Sequence, residues 1–169
     1  MRSLPLSPLN AARLVAHRRR AHPQCVVCSP PNAHGLAVEF ACSPDGSVRG
    51  ELTDGVAFQG YTGQLHGGII AALLDGAMTN CLFAHDCEAM TAELTVRYRH
   101  PVLAEGGLTV RAWLTGSYGP LFRLEAELVQ GGQVKATATG KFMAAQDPDR
   151  RTIAPSPLEV PKTNHPLLP

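Results

Sequence analysis

Between Gly67 and Ala84 runs a stretch of 18 residues that is apolar almost throughout, yet it carries an aspartate, Asp75, in its middle. As a helix at ~1.5 Å per residue it is ~27 Å long. That length suits a membrane span, but Asp75, Gly76, Thr79 and Asn80 interrupt it and no cationic flanks bound it. A helix that is hydrophobic on every side belongs inside a folded core. The rest of the chain must therefore wrap around it.

The flanking segments have the period that does so. Leu36, Val38, Phe40 and Cys42 alternate with Ala37, Glu39 and Ala41, which predicts a strand; Asp45-Gly46 predicts a hairpin turn into a return strand over Val48 to Leu52. In Thr91 to Arg99, the alternation puts Ala92, Leu94, Val96 and Tyr98 on one face and Thr91, Glu93, Thr95, Arg97 and Arg99 on the other. Leu108 to Leu114 and Phe122 to Leu128 repeat the pattern, and Gly131-Gly132 turns the chain into Val134 to Phe142. Four consecutive long strands argue for an antiparallel sheet. The expectation is an α+β fold in which a curved sheet of six strands encloses one central helix.

Asp75 is the most informative residue. An ionised carboxylate in a buried helix costs several kcal/mol unless it is paired or wet. It lies too far along to cap the helix, and no Lys or Arg stands within four positions of it. A distant arginine is one way to satisfy it; a role as base or nucleophile facing a cleft is the other, and the preferred one. The helix opens on His66-Gly67-Gly68, where glycines admit a ligand to the backbone and free N–H groups favour developing negative charge. An oxyanion hole has these requirements. His66 and Asp75 are nine residues apart, ~13.5 Å along a helix axis, so one chain cannot bring both to one carbonyl. If both act, two antiparallel helices related by a twofold axis must share the site in a homodimer.

The stretch from Gln59 through His66-Gly67-Gly68 to Asp75-Gly76-Ala77-Met78 resembles the signature of hotdog-fold acyl-CoA thioesterases of the PaaI-like branch. Met90 to Val96, Tyr98 to Pro101, and the Cys25-Val26-Val27-Cys28, Asn32 and Gly35-Leu36 positions resemble the same family, over about Cys25 to Met143. The resemblance implies a hotdog fold, assembled as dimers or dimers of dimers, that hydrolyses an acyl-CoA thioester. It implies that Asp75 is the catalytic base or nucleophile and that Gly68, with Gly67, supplies the backbone donor. Thr91 matches a hydroxyl that orients the water or the carboxylate, and His66 a residue that lines the site and orders the glycine turn. Two departures stand out. Gly76 occupies a position near which some relatives carry Glu, and the Gly116 to Pro120 turn lacks the arginines that contact CoA phosphates in many. Arg97, Arg99 or Lys141 are the substitutes for those cations, and a hotdog acyl-CoA-binding or interaction protein without turnover is the alternative reading.

The remaining features bound the problem. With 169 residues the chain suits one domain, and a net charge of +1 gives no reason to expect nucleic acid. The expected division is residues 1–35 as an N-terminal helix and Cys-containing segment, 36–143 as the hotdog domain, and 144–169 as an extended tail with six prolines. No acidic residue precedes Glu39, while Arg2, Arg13, Arg18, Arg19 and Arg20 do. That start reads as a helix over Leu9 to Ala21 capped by Asn10 and closed by cations, with an organelle transit segment as the lesser reading. Five cysteines and no signal peptide point to the cytoplasm. Cys25 and Cys28 with His22 and His34 form an imperfectly spaced zinc set; reduced thiols are the preferred reading, with no metal and no cofactor expected.

Overall fold

The computed structural model describes residues 7–144. Helix α1 spans Ala11–Ala21, strands β1 and β2 span Phe40–Cys42 and Val48–Leu52, and helix α2 spans Gly67–Ala84. Strands β3 (Ala89–Tyr98), β4 (Leu108–Tyr118), β5 (Leu121–Gln130) and β6 (Gln133–Ala144) follow. All six strands join one antiparallel sheet in the order β1-β2-β4-β5-β6-β3. The chain thus leaves β2 near one edge, crosses the sheet as α2, and returns as β3 on the opposite edge. Helix α2 touches every strand on the way. This is the hotdog architecture expected from the sequence. The proline-rich tail lies outside the described residues.

The core forms where α2 meets the sheet. Leu73, Leu74, Met78 and Leu82 pack with Val48, Val110, Leu124, Leu128 and Phe142, all buried. By length and composition α2 could cross a membrane, but most of it is buried inside this fold. Burial is not uniform along it: Gly68, Ile69, Ala71, Ala72 and Asp75 remain partly open, a stripe on the first half of the helix. The helix that looked apolar all round therefore has one face that the described residues leave uncovered.

Helix α1 forms as expected, with Asn10 Oδ1 accepting from the Ala12 and Arg13 N–H groups and Arg18 to Arg20 in the last turn. It is less solvated than its composition suggests. Leu14 is in the core, and His17 stacks on Phe83 while reaching Asp86 at 2.8 Å and Glu88 at 3.0 Å.

The first predicted strand is a correction. Only Phe40 to Cys42 pair with β2. Ala37 adopts φ 50°, which breaks the extended run, and the Leu36 and Val38 N–H groups donate to Val26 and Val27 carbonyls instead. Leu36 and Val38 are buried as the alternation implied, but by a loop rather than a neighbouring strand. Period two reports burial, not pairing.

Candidate active site

His66 takes the N-cap position of α2, held because its N–H donates to the Phe58 carbonyl at 2.9 Å while Leu65 N–H donates to Val102. Its Nδ1 accepts from Gly68 N–H at 2.9 Å, so the imidazole carries its proton on Nε2. A Cβ on Gly68 would lie 3.0 Å from that Nδ1, so a side chain there requires the capping ring to shift by a few tenths of an ångström. The Gly68 N–H is thus engaged, whereas the Gly67 N–H has no partner among the described residues. Tyr98 Oη donates to the Gly67 carbonyl at 2.9 Å and ties the helix start to β3.

Asp75 sits two turns further along. Thr91 Oγ1 donates to Asp75 Oδ1 at 2.7 Å, which brings together two of the residues singled out from the sequence. Among the described residues no Lys, Arg or His lies within ion-pair distance of this carboxylate. Burial pushes its pKa up, the Thr91 hydrogen bond pulls it down, and Cys25 and His22 exert smaller and opposite effects.

Strict alternation placed Thr91 on the outer face with Glu93, Thr95 and Arg97. The β3–β6 register shifts between Thr91 and Glu93, leaving Ala92 as the extra residue. This bulge turns Thr91 inward, onto the side of Leu94 and Val96, where it meets Asp75.

A cleft of about 420 Å³ lies beside the start of α2, lined by Tyr61, Gly67, Ile70, Tyr98, Arg99 and Val102 among others. Arg99 also borders a second cleft on the outer face of the sheet with Arg97 and Trp113. Neither arginine has a carboxylate within ion-pair distance among the described residues, whereas Lys141 is committed to Glu93 at 2.7 Å. The helix start is thus reached by Arg99, and Arg97 belongs to the outer face.

Sequence reasoning missed the neighbour of Asp75. The loop Cys25–Cys28 packs against α2, and a Cβ on Gly76 would stand 2.7 Å from Val27 Cγ1. Gly76 is therefore where the loop fits, which explains why no larger residue occupies the position. Cys28 Sγ lies 3.7 Å from His22 Nδ1, and Val27 N–H donates to Cys25 Sγ at 3.4 Å. Hydrogen bonds from Cys28, His22 and the backbone hold the Cys25 thiol well below its usual range. His34 is not part of this cluster.

The sequence model of the thioesterase superfamily matches residues 62–137. A crystal structure of a thioesterase superfamily protein superposes with a TM-score of 0.66 at 32% identity, covering 69% of this chain; the chain spans 58% of that protein's length. A phenylacetic acid degradation-related protein from Ralstonia eutropha JMP134 gives 0.61 at 27% identity, over 75% of this chain and 96% of that one. A hypothetical thioesterase protein with coenzyme A from Streptococcus pneumoniae TIGR4 shares the fold at 0.59 and 17% identity, over 63% and 87%. Among functionally curated proteins no significant match was found.

Proposed function

We propose that this chain, which matches the thioesterase superfamily over residues 62–137 and has the hotdog fold of PaaI-like structures, hydrolyses the thioester of an acyl-CoA with Asp75 as general base. The observation that carries this reading is a half-buried carboxylate, unpaired by any cation among the described residues, with a single hydroxyl donor on one oxygen. Thr91 engages Oδ1 and leaves Oδ2 for a water. Asp75 takes the proton of that water as its oxygen bonds to the thioester carbon. The carbonyl oxygen gathers charge at the start of α2, where the Gly67 N–H has no partner among the described residues and the Gly68 N–H becomes available if His66 turns aside. Collapse breaks the carbon–sulfur bond, and the proton held by Asp75 passes to the departing CoA thiolate. His66 then serves as a cap that yields to substrate, and Arg99, with Arg97 further out, supplies cations for CoA phosphates. Five free thiols accord with a cytoplasmic setting. The occupied Gly68 N–H favours one rival, an acyl-CoA-binding protein without turnover. A hydrolysis screen over short, medium and aromatic acyl-CoAs separates the two: binding without release of CoA thiol from any of them would select the rival.

Thr91→Val tests the positioning of the base. Loss of a hydrogen bond to a charged group should cost roughly 10- to 100-fold in turnover. Because that bond favours the ionised form, its removal raises the Asp75 pKa, and the acid limb of the pH–rate profile should move to higher pH. An acid limb that stays in place would detach Thr91 from the base.

We also propose a homodimer, or a dimer of such dimers, with shared sites. Gly67 and Asp75 of one chain are eight residues apart on one continuous helix, ~12 Å. The partly open stripe of α2 lies beside β3, whose outer edge has no strand partner among the described residues. Met90 and Tyr98 on that strand, with Tyr61 and Leu103 nearby in sequence to the helix start and to β4, are exposed apolar groups of the kind an interface covers. Pairing of two β3 edges about a twofold axis would set the two α2 helices antiparallel. Light scattering should return at least twice the mass of one chain; an active monomer would remove the shared site.

A further inference from the structure

We propose that His22, Cys25 and Cys28 form a zinc site that clamps the loop between α1 and β1 onto helix α2. The three ligand atoms lie within 4.8 Å of one another. For Zn–S bonds of about 2.3 Å and Zn–N bonds of about 2.0–2.1 Å, sulfur and nitrogen on adjacent tetrahedral corners are ~3.6 Å apart. Cys28 Sγ and His22 Nδ1 are already 3.7 Å apart. Little movement separates this cluster from a coordination shell.

The surroundings are built to hold it. Phe83 meets the His22 ring edge-on at 4.9 Å between centroids, fixing its orientation. The Val27 N–H bond to Cys25 Sγ is a donor that stabilises a ligating sulfur, and Cys28 is 1% exposed. Two thiolates and one imidazole select zinc over magnesium or calcium, which prefer oxygen. Three protein ligands leave a fourth position for water. Asn80, fully buried beside Cys28, has an Oδ1 with no partner among the described residues, an acceptor that such a water would satisfy.

The loop also has a use for a clamp. No regular strand or helix occurs between His22 and Glu39. Val27 nevertheless reaches the core and the helix at Gly76, one residue from Asp75. A metal supplies the fixity that a short irregular segment lacks.

The test uses the full chain purified under reducing conditions and reconstituted with zinc, then with cobalt(II). About one zinc per chain is expected by elemental analysis, with a thiolate-to-cobalt charge-transfer band in the cobalt form. Cys25→Ser and Cys28→Ser should each abolish that band, while Cys87→Ser, outside the cluster, keeps it. Chelation should lower the melting temperature of the parent by roughly 5–10 °C and leave that of Cys28→Ser unchanged. Circular dichroism of each variant checks the fold, and the parent's own cobalt spectrum needs no variant. Absence of bound metal in the reduced, folded parent overturns the proposal, as does a cobalt band that survives Cys28→Ser. Copper in place of zinc overturns the choice of metal.

Discussion

Asp75→Asn should lower acyl-CoA turnover by roughly two to four orders of magnitude, the range for loss of a general base, while the protein stays folded. Asparagine keeps the volume of the side chain and can still accept from Thr91, so the 2.7 Å contact survives. What it loses is the capacity to take a proton from water. Stability should hold or rise, because the native carboxylate is half-buried with no cation beside it among the described residues and is retained at a cost. A carboxylate kept for a buried ion pair behaves in the opposite way, with about 3–5 kcal/mol lost on neutralisation. Turnover and melting temperature on one purified variant therefore separate the roles. Full activity in a folded Asp75→Asn protein would end the proposed mechanism.

The same residue sets a pH dependence whose sign is fixed by its surroundings. Burial raises the folded pKa of Asp75 above the ordinary carboxylate value. Between those two values the folded chain binds more protons than the unfolded one. The stability contributed by the neutral form is fully present below the unfolded value and is lost as pH rises through the raised one. Activity runs the other way, since the base must be ionised. In the window just above the usual carboxylate range, raising the pH should make the enzyme faster and less stable. Asp75→Asn should flatten the stability part of that trend. A parent and variant with parallel stability profiles would mean that Asp75 does not titrate there.

The sequence carried α2 to its ends, because a largely apolar run flanked by His66 and His85 has few other places to go. It also showed the two residues that meet at its middle, though for different reasons. Asp75 was conspicuous on physical grounds, as a charge without a local partner. Thr91 was visible through resemblance alone, since alternation placed it on the wrong face. The bulge at Ala92 that corrects it leaves no mark in a two-residue period. The state of the Gly68 N–H was equally hidden, because a histidine before two glycines does not announce that its ring will cap the helix. Least legible was the loop from His22 to Glu39. Its contact with Gly76 joins positions about fifty residues apart, and neither period nor composition reports such contacts.

Gly76→Ala should destabilise the protein, reversing the usual sign of a helical glycine-to-alanine change. In an unobstructed helix interior that substitution gains about 1 kcal/mol. Here the new methyl would stand 2.7 Å from Val27 Cγ1 and 3.2 Å from its Cβ. Val27 is β-branched, buried in the core, and held by the Val38 N–H that donates to its carbonyl at 2.8 Å. It cannot swing aside as a long surface side chain would. Overpacking of this kind costs about 1–3 kcal/mol, enough to outweigh the propensity gain. Gly76→Glu adds a buried, unpaired carboxylate to the same clash, worth several kcal/mol more, so it should fail to fold or shed the loop. Restoring a carboxylate near the position it takes in some relatives would then harm this chain instead of improving it. Because the clash has one named partner, Val27→Ala combined with Gly76→Ala should recover much of the loss, giving a coupling that two independent sites lack. Chemical denaturation of the two single variants and the double measures it. A Gly76→Ala protein more stable than its parent would place the Cys25–Cys28 loop away from the helix.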